Sequence, residues 1–378
     1  MQRQMKYLLF FWSLIIMGRL LPGQTAEYQE ARIQEALKAM NRMEHDHACS
    51  LFVEVSQNVP YHPLAPFGAL ANEWIFNQGK FGYEAGNREL LEDIDDLILD
   101  YRRHLVLDPD NPDLKYYMGL TNGLRARVLL AEKDWLGVLV SGYRIIRNFK
   151  SALKGSPDNP DIMIAFGVFN YYVGLSSGFM QIASWIMQIS GSKEEGLQQI
   201  ETAALHGNYS RYEARSIMVY LYLYFEADYA AVRRWLDMLL NEFPGNPYYN
   251  YLYAELCIRT GNPNIETYIE KIHQRLPELE PFFKKEYIQR LRLLEGSQAL
   301  LNDDLDRAET QLLSYLGNYD SEMDYDLASA YLRLGQVYDL QGRRPDAVKI
   351  YQKTVDLDNR SSAVIAAKGY LIKPYSTK

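Results

Sequence analysis

Along most of the chain, apolar residues recur at intervals of three and four, in segments too long for strands. The stretches between them are short and marked by Pro, Gly, Asn and Asp. This pattern predicts helices throughout, joined by tight turns. One turn is written twice. "DPDNPDLKYYMGL" at 108–120 returns as "SPDNPDIMIAFGV" at 156–168, so that Pro109, Asn111, Pro112 and Gly119 reappear 48 positions later as Pro157, Asn159, Pro160 and Gly167. The spacing places Pro109 and Pro157 at the end of one helix pair. Pro112 and Pro160 then fall in the first turn of the next helix, where a missing N–H costs nothing. "FPGNP" (Phe243–Pro247) is a third copy of the turn.

The clearest repeat unit is "YLRLGQVYDLQGRRPDAVKIYQKTVDLDN", residues 331–359. Tyr331, Leu334, Gly335 and Tyr338 share a first helix, Ala347 and Tyr351 a second, and Asn359 marks the stop. This resembles the tetratricopeptide repeat, W-x2-L-G-x2-Y followed by A-x3-F and then P, with Tyr for Trp and Asn for Pro. The small residues let two antiparallel helices approach, and the aromatics fill the space beside them. The second-helix half of the pattern recurs at Ala48/Phe52/Pro60, Leu97/Tyr101/Pro109, Ile145/Phe149/Pro157 and Val232/Leu236/Pro244, and Gly296 with Ala308 and Leu312 forms a further pair. Proline-to-proline distances of 49 and 48 residues exceed the usual repeat by about 14, or roughly two extra turns on each helix. The expectation is an all-α superhelix, a right-handed solenoid of tetratricopeptide type with enlarged N-terminal repeats. It would hold roughly seven helix pairs over 24–375, closed by a helix at Ala363–Ile372.

One region breaks the rhythm. In residues 165–214 a glycine-bearing helix is followed by an apolar stretch, then "GSKEEGLQQIETAALHG". Through Phe169, Asn170, Gly191, Gly196 and Leu197 this region resembles the tetratricopeptide repeat protein 39 family, its fungal inclusion-body-clearance relatives and exported bacterial repeat proteins. The resemblance implies fold only. Within the insertion at 175–191, residues 179–189 ("FMQIASWIMQI") carry one narrow polar stripe, Gln181, Ser184 and Gln188, on an otherwise apolar helix. Such an element must be nearly surrounded, either as a plug inside the curve or as a surface for a lipid or an apolar partner.

The first 23 residues differ in kind. Arg3 and Lys6 precede the apolar block Tyr7–Met17, and "LPGQTA" follows. This reads as a signal peptide at 1–23, too short for a membrane span. It implies an exported protein of the periplasm or cell envelope, from a bacterial source, with an uncleaved membrane anchor as the alternative. The formal net charge is −8, and it becomes more acidic once the three basic residues of the leader are set aside. With no block of Lys or Arg, the body is unsuited to nucleic acid or to anionic membrane surfaces. Cys49 and Cys257 stand at apolar helical positions and are expected as buried thiols.

Candidate chemistry is thin. "HDHAC" (His45–Cys49) has metal-ligand residue types, but His47 lies on another helix face and Ala48 is a packing position. His62 sits between prolines in a loop. The acidic runs Glu92–Asp96 and Asn302–Asp306 lack calcium-loop spacing, and no nucleophile, zinc-protease or phosphate-loop motif occurs. No cofactor or metal is expected, and the chain reads as a non-enzyme. Tyrosine is the more informative residue, with 30 in the chain. If first helices line a concave groove, Asp113, Tyr116, Asp161, Tyr171, Tyr172, Tyr224, Tyr248, Tyr251 and Arg259 face a partner. Truncating Tyr251 should then spare the fold. The Lys/Asn set that clamps a C-terminal carboxylate is absent. The sequence thus predicts an interaction scaffold whose groove holds a partner peptide or helix, with a carrier or sensor of a hydrophobic small ligand as the alternative.

Overall fold

A computed structural model describes residues 22–57, 61–131, 134–175, 191–321 and 324–376. The leader-like segment up to residue 21, and the apolar stretch 179–189, lie outside the described residues. Among those described, the chain is all helix and turn, arranged as antiparallel pairs. The first three pairs are α1 (Pro22–Asn41) with α2 (His45–Ser56), α3 (Leu64–Phe81) with α4 (Tyr83–Leu107), and α5 (Pro112–Ala131) with α6 (Trp135–Gly155). They are followed by α7 (Pro160–Leu175) with α8 (Lys193–His206) and α9 (Arg211–Leu221) with α10 (Tyr229–Glu242). The last three pairs are α11 (Pro247–Thr260) with α12 (Ile265–Arg275), α13 (Pro281–Leu301) with α14 (Leu305–Gly317), and α15 (Asp324–Leu340) with α16 (Arg344–Asp356). A final helix, α17 (Ser362–Ile372), covers the end, as the sequence predicts.

Among the described residues there are thus eight pairs where the sequence suggests about seven. Enlargement of the early repeats is confirmed: α3 to α6 run to 18, 25, 20 and 21 residues, against 14 and 11 in α11 and α12.

The repeated Asn-Pro turns act as the sequence requires. Pro112, Pro160 and Pro247 are each the first helical residue, and the preceding asparagine caps the orphan amides. Asn111 Oδ1 accepts from Leu114 N at 2.9 Å, Asn159 Oδ1 from Asp161 N at 3.0 Å, and Asn246 Oδ1 from Tyr248 N at 2.9 Å. Four second helices start on an acidic or hydroxyl cap instead: Asp134, Ser192, Asp228 and Asp304.

Within a pair, glycine on the first helix receives the bulk of the second. A Cβ built on Gly119 would lie 2.5 Å from the Phe149 ring, and one on Gly167 would lie 2.6 Å from Ile200 and 2.8 Å from the Gly196 carbonyl. Gly335 stands against the ring of Tyr351 in the same way. The aromatics that fill two of these notches are buried, Phe149 at 8% and Tyr351 at 0% exposure.

The superhelix comes round on itself. Tyr249 Oη, on α11, donates to Asn41 Oδ1 at the end of α1 (2.6 Å), and Asn246 Nδ2 donates to the Asn41 carbonyl (2.7 Å). On the other side, Tyr83 Oη donates to Glu286 Oε1 on α13 at 2.9 Å, and Gly79 and Gly82 lie against Phe283 and Phe282. These contacts join the first two pairs to the sixth and seventh across the inner face.

Candidate functional site

Between α1, α3, α5, α7 and α9 the closed superhelix leaves a cavity of ≈ 470 Å³. Each wall is a first helix. Such a helix packs one side on its own second helix and turns the other inward, so it is apolar on more than one face. α1 contributes Leu37 and Met40, α3 contributes Phe67 and Trp74, and α5 contributes Leu120 and Leu124. No Lys, Arg, His or Cys is part of the lining.

Its polar end is built around Asp161, which is 5% exposed. The Asp161 carboxylate accepts the amides of Asn208 (3.2 Å), Tyr209 (2.9 Å) and Ser210 (2.8 Å), together with the Ser210 hydroxyl (2.7 Å). The loop so held passes Tyr209 to α1, where its hydroxyl donates to Glu30 Oε2 at 2.6 Å. Burial would raise the Glu30 carboxyl, but hydrogen bonds from Tyr209, Gln34 and Asn208 outweigh it and hold the group below its usual range. His62 Nε2 lies 3.4 Å from Tyr209 Oη, and burial lowers its pKa.

Glu213 is the one carboxyl in the lining that nothing holds. Among the described residues none forms a hydrogen bond or close ion pair with it, and its side chain is accessible where it faces the cavity. Surrounding protein nonetheless raises its pKa, an effect offset only by the field of Arg127. Arg127 itself lies over the Trp74 ring, 4.9 Å from the centroid.

A second polar system fills the later half of the inner face. Arg290 lies over the rings of Tyr287, Tyr251 and Tyr248 at 5.0, 5.2 and 5.5 Å. It pairs with Glu286 at 3.1 Å and with Asp326 at 3.7 Å. Beside it the charges alternate the other way: Glu255 Oε1 accepts from Arg259 Nε at 2.7 Å and from Arg333 Nη2 at 2.5 Å. Arg259 also reaches the hydroxyls of Ser362 and Ser329, at 3.1 and 3.2 Å. These arginines line a polar cavity of ≈ 570 Å³ between α11, α13, α15 and α17. Arg259 donates to Glu255 and to both serines, whereas Arg333 Nη1 is buried with no hydrogen-bond partner among the described residues.

The nine residues assigned by sequence to one groove do not share a surface. Tyr116 and Asp161 border the apolar cavity, Arg259 borders the polar one, and Asp113 is exposed at the start of α5 with its pKa raised by partial burial. Tyr171, Tyr224 and Tyr251 are 0%, 3% and 1% exposed. Tyr171 donates to Glu226 Oε1 at 2.5 Å and Tyr224 to Asp326 Oδ1 at 2.8 Å. Tyr172 and Tyr248 are half-buried, Tyr172 edge-on to Tyr171 and Phe225, Tyr248 beneath Arg290. The continuous tyrosine wall is therefore corrected. Successive first helices pack closely enough that these rings fill the space between them.

His45 is buried, its Nδ1 3.2 Å from Asn72 Oδ1, and desolvation lowers its pKa. No three His, Cys, Asp or Glu side chains converge as a metal site among the described residues. Cys257 is buried and Cys49 half-buried, and both are free thiols. No described helix is long and apolar enough to cross a membrane. Glu213 and Trp74 escaped the sequence reading. The available signal was the acid in the first turn of α5 and α7, which recurs in α9 within one position of the Asp113/Asp161 register.

No family model matches the chain, and no curated protein matches it. Among solved structures, yeast Tom70 aligns over 92% of this chain and 82% of its own, at 11% identity and a TM-score of 0.37. A human IFIT1 dimer with PPP-AAAA aligns over 93% and 78%, at 13% identity and a TM-score of 0.40. Neither likeness bears on the role of the cavities.

Proposed function

We propose that the protein is a non-catalytic binding protein that holds a small apolar ligand in the cavity between α1, α3, α5, α7 and α9. The observation that carries this reading is the ≈ 470 Å³ volume walled by apolar and aromatic side chains of five first helices. That size and lining are those of a small-molecule site, where apolar surface supplies affinity and a few polar groups fix orientation. The lining offers no His, Lys or Cys to act as base or nucleophile. An extended peptide along the tyrosines is the weaker reading, since Tyr171, Tyr224 and Tyr251 have almost no surface to offer. The leader-like first 23 residues support an envelope location for this carrier or sensor, which the mass of the mature N-terminus from cells would test.

The test of binding uses the neutral fluorophore N-phenyl-1-naphthylamine. Saturable fluorescence enhancement is expected with the purified protein. The effect should be lost in Ala71→Trp, which fills the cavity from the α3 side. Enhancement that is absent, or that survives Ala71→Trp in a folded variant, overturns the reading.

A further inference from the structure

The cavity is apolar, yet it contains one carboxyl that the protein leaves unpaired. The other lining acid, Asp161, spends its carboxylate on three amides and a hydroxyl. Glu213 has no such partner among the described residues, although it stands on the same surface as Phe67, Trp74 and Leu120. The neighbouring cations are engaged elsewhere. Arg215 pairs with Glu242 at 2.8 Å and Arg211 donates to Gln34 Oε1 at 3.0 Å, both beyond the lining residue Tyr212. Arg127 is stacked on Trp74 and is exposed.

Glu213 is exposed to the cavity and has no hydrogen-bond partner from the described residues, so its carboxylate relies on water there, and losing that water without a replacement donor is costly. A neutral ligand would incur that cost by displacing water from Glu213. An anionic ligand would add repulsion. A ligand carrying an N–H cation removes it, and the aromatic walls add cation–π attraction from Trp74 and the tyrosine rings.

We infer that the ligand is an organic ammonium whose apolar body lies between Phe67, Trp74 and Leu120 and whose charged end donates to the Glu213 carboxylate. This assignment rests on the cavity being a ligand site and goes beyond it by naming the chemical class. The same juxtaposition makes Glu213 the residue that sets specificity, while the walls set the size and shape of the body.

The test compares three ligands of one shape: 4-phenylbutylammonium, 4-phenylbutanol and 4-phenylbutanoate, titrated by calorimetry into the wild-type chain and into Glu213→Gln. The expected result is saturable binding of the ammonium, about tenfold or more tighter than the alcohol, as a charge-assisted hydrogen bond provides. The carboxylate should bind weakest. In Glu213→Gln the ammonium should fall to the affinity of the alcohol, with the alcohol unchanged or improved. If the alcohol matches the ammonium in the wild type, or if the preference survives Glu213→Gln, the ammonium assignment is wrong while the cavity reading stands. If none of the three binds, and N-phenyl-1-naphthylamine does not bind either, the cavity itself is not a ligand site and the assignment falls with it. Should Glu213→Gln fail to fold, Glu213→Asp and the wild-type ranking decide the question.

Discussion

Tyr116 Oη donates to the main-chain carbonyl of Asp161 at 2.7 Å, tying the third helix pair to the fourth. Both residues come from the duplicated turn, four positions after Pro112 and one after Pro160. The duplicated sequence therefore writes a joint as well as a pair of turns: the tyrosine of one copy reaches the backbone of the next, whose aspartate grips the following loop.

The joint can be weighed in two steps. Tyr116→Phe removes one buried hydroxyl and its hydrogen bond, which should cost about 1 kcal/mol, while the Asp161 carbonyl keeps its intrahelical amide. Asp161→Ala strips four hydrogen bonds from the 208–210 loop and should cost about 3 kcal/mol or more. Urea unfolding of both variants measures this. Equal effects would mean that the loop finds other partners.

Two helical glycines should respond oppositely. Gly167→Ala forces a methyl within 3 Å of Ile200 and of the Gly196 carbonyl, where the obstacle is partly backbone and cannot turn away. A loss of about 1–3 kcal/mol is expected. Gly142, inside α6, has nothing within 4 Å of its would-be Cβ, so Gly142→Ala should stabilise by about 0.5–1 kcal/mol through helix propensity. Thermal melts of the pair test the helix register directly.

What the sequence made legible was local. Asn-Pro turns, small-residue notches and the length of the early repeats are each encoded within a few dozen residues, so the pairs and their enlargement could be read. The Asn-Pro turn at Phe243–Pro247 likewise marked the start of α11, although α11–α12 packs without a glycine notch. Closure of the superhelix could not be read. The Asn41–Tyr249 contact joins residues far apart in the chain, and neither carries a mark that distinguishes it from other polar helix residues. The same holds for the site. Tyr251 and Tyr116 occupy inward positions alike, and only the packing of the helices opposite decides that one is core and the other cavity wall. Glu213 matters through what it fails to meet.

Tyr251 is accordingly a core residue. It is 1% exposed and carries Arg290 over its ring at 5.2 Å. Tyr251→Ala should cost about 3–5 kcal/mol, since it opens a large cavity and removes a face on which a buried guanidinium rests. Tyr251→Phe should be far milder. Denaturation midpoints for the two separate ring packing from the hydroxyl.

Glu255 shares one oxygen between Arg259 and Arg333, and its side chain is 1% exposed. Glu255→Gln leaves two buried cations without their counter-charge, a loss of about 3–5 kcal/mol. Pairing it with Arg333→Met should recover part of that loss, because one buried charge is then gone. A double-mutant cycle reads the coupling, and strict additivity would show that the two residues do not interact.

Glu213 also leaves a signature in stability without any ligand. Desolvation by the surrounding protein raises its pKa in the folded chain above the ordinary carboxyl value, with Arg127 only partly opposing the shift. A carboxyl raised on folding favours the native state most below the unfolded value. That contribution is lost as pH climbs through the folded one, because the unfolded chain gives up its proton first. Glu213→Gln stays neutral throughout and should escape the loss. The variant is therefore expected to melt above wild type at pH 7, with the difference shrinking as pH is lowered through and below the ordinary carboxyl range, where the glutamate is protonated in both states. If the two curves run parallel across that range, the carboxyl is solvated as in water. In that case the cavity offers a ligand cation nothing that bulk solvent does not.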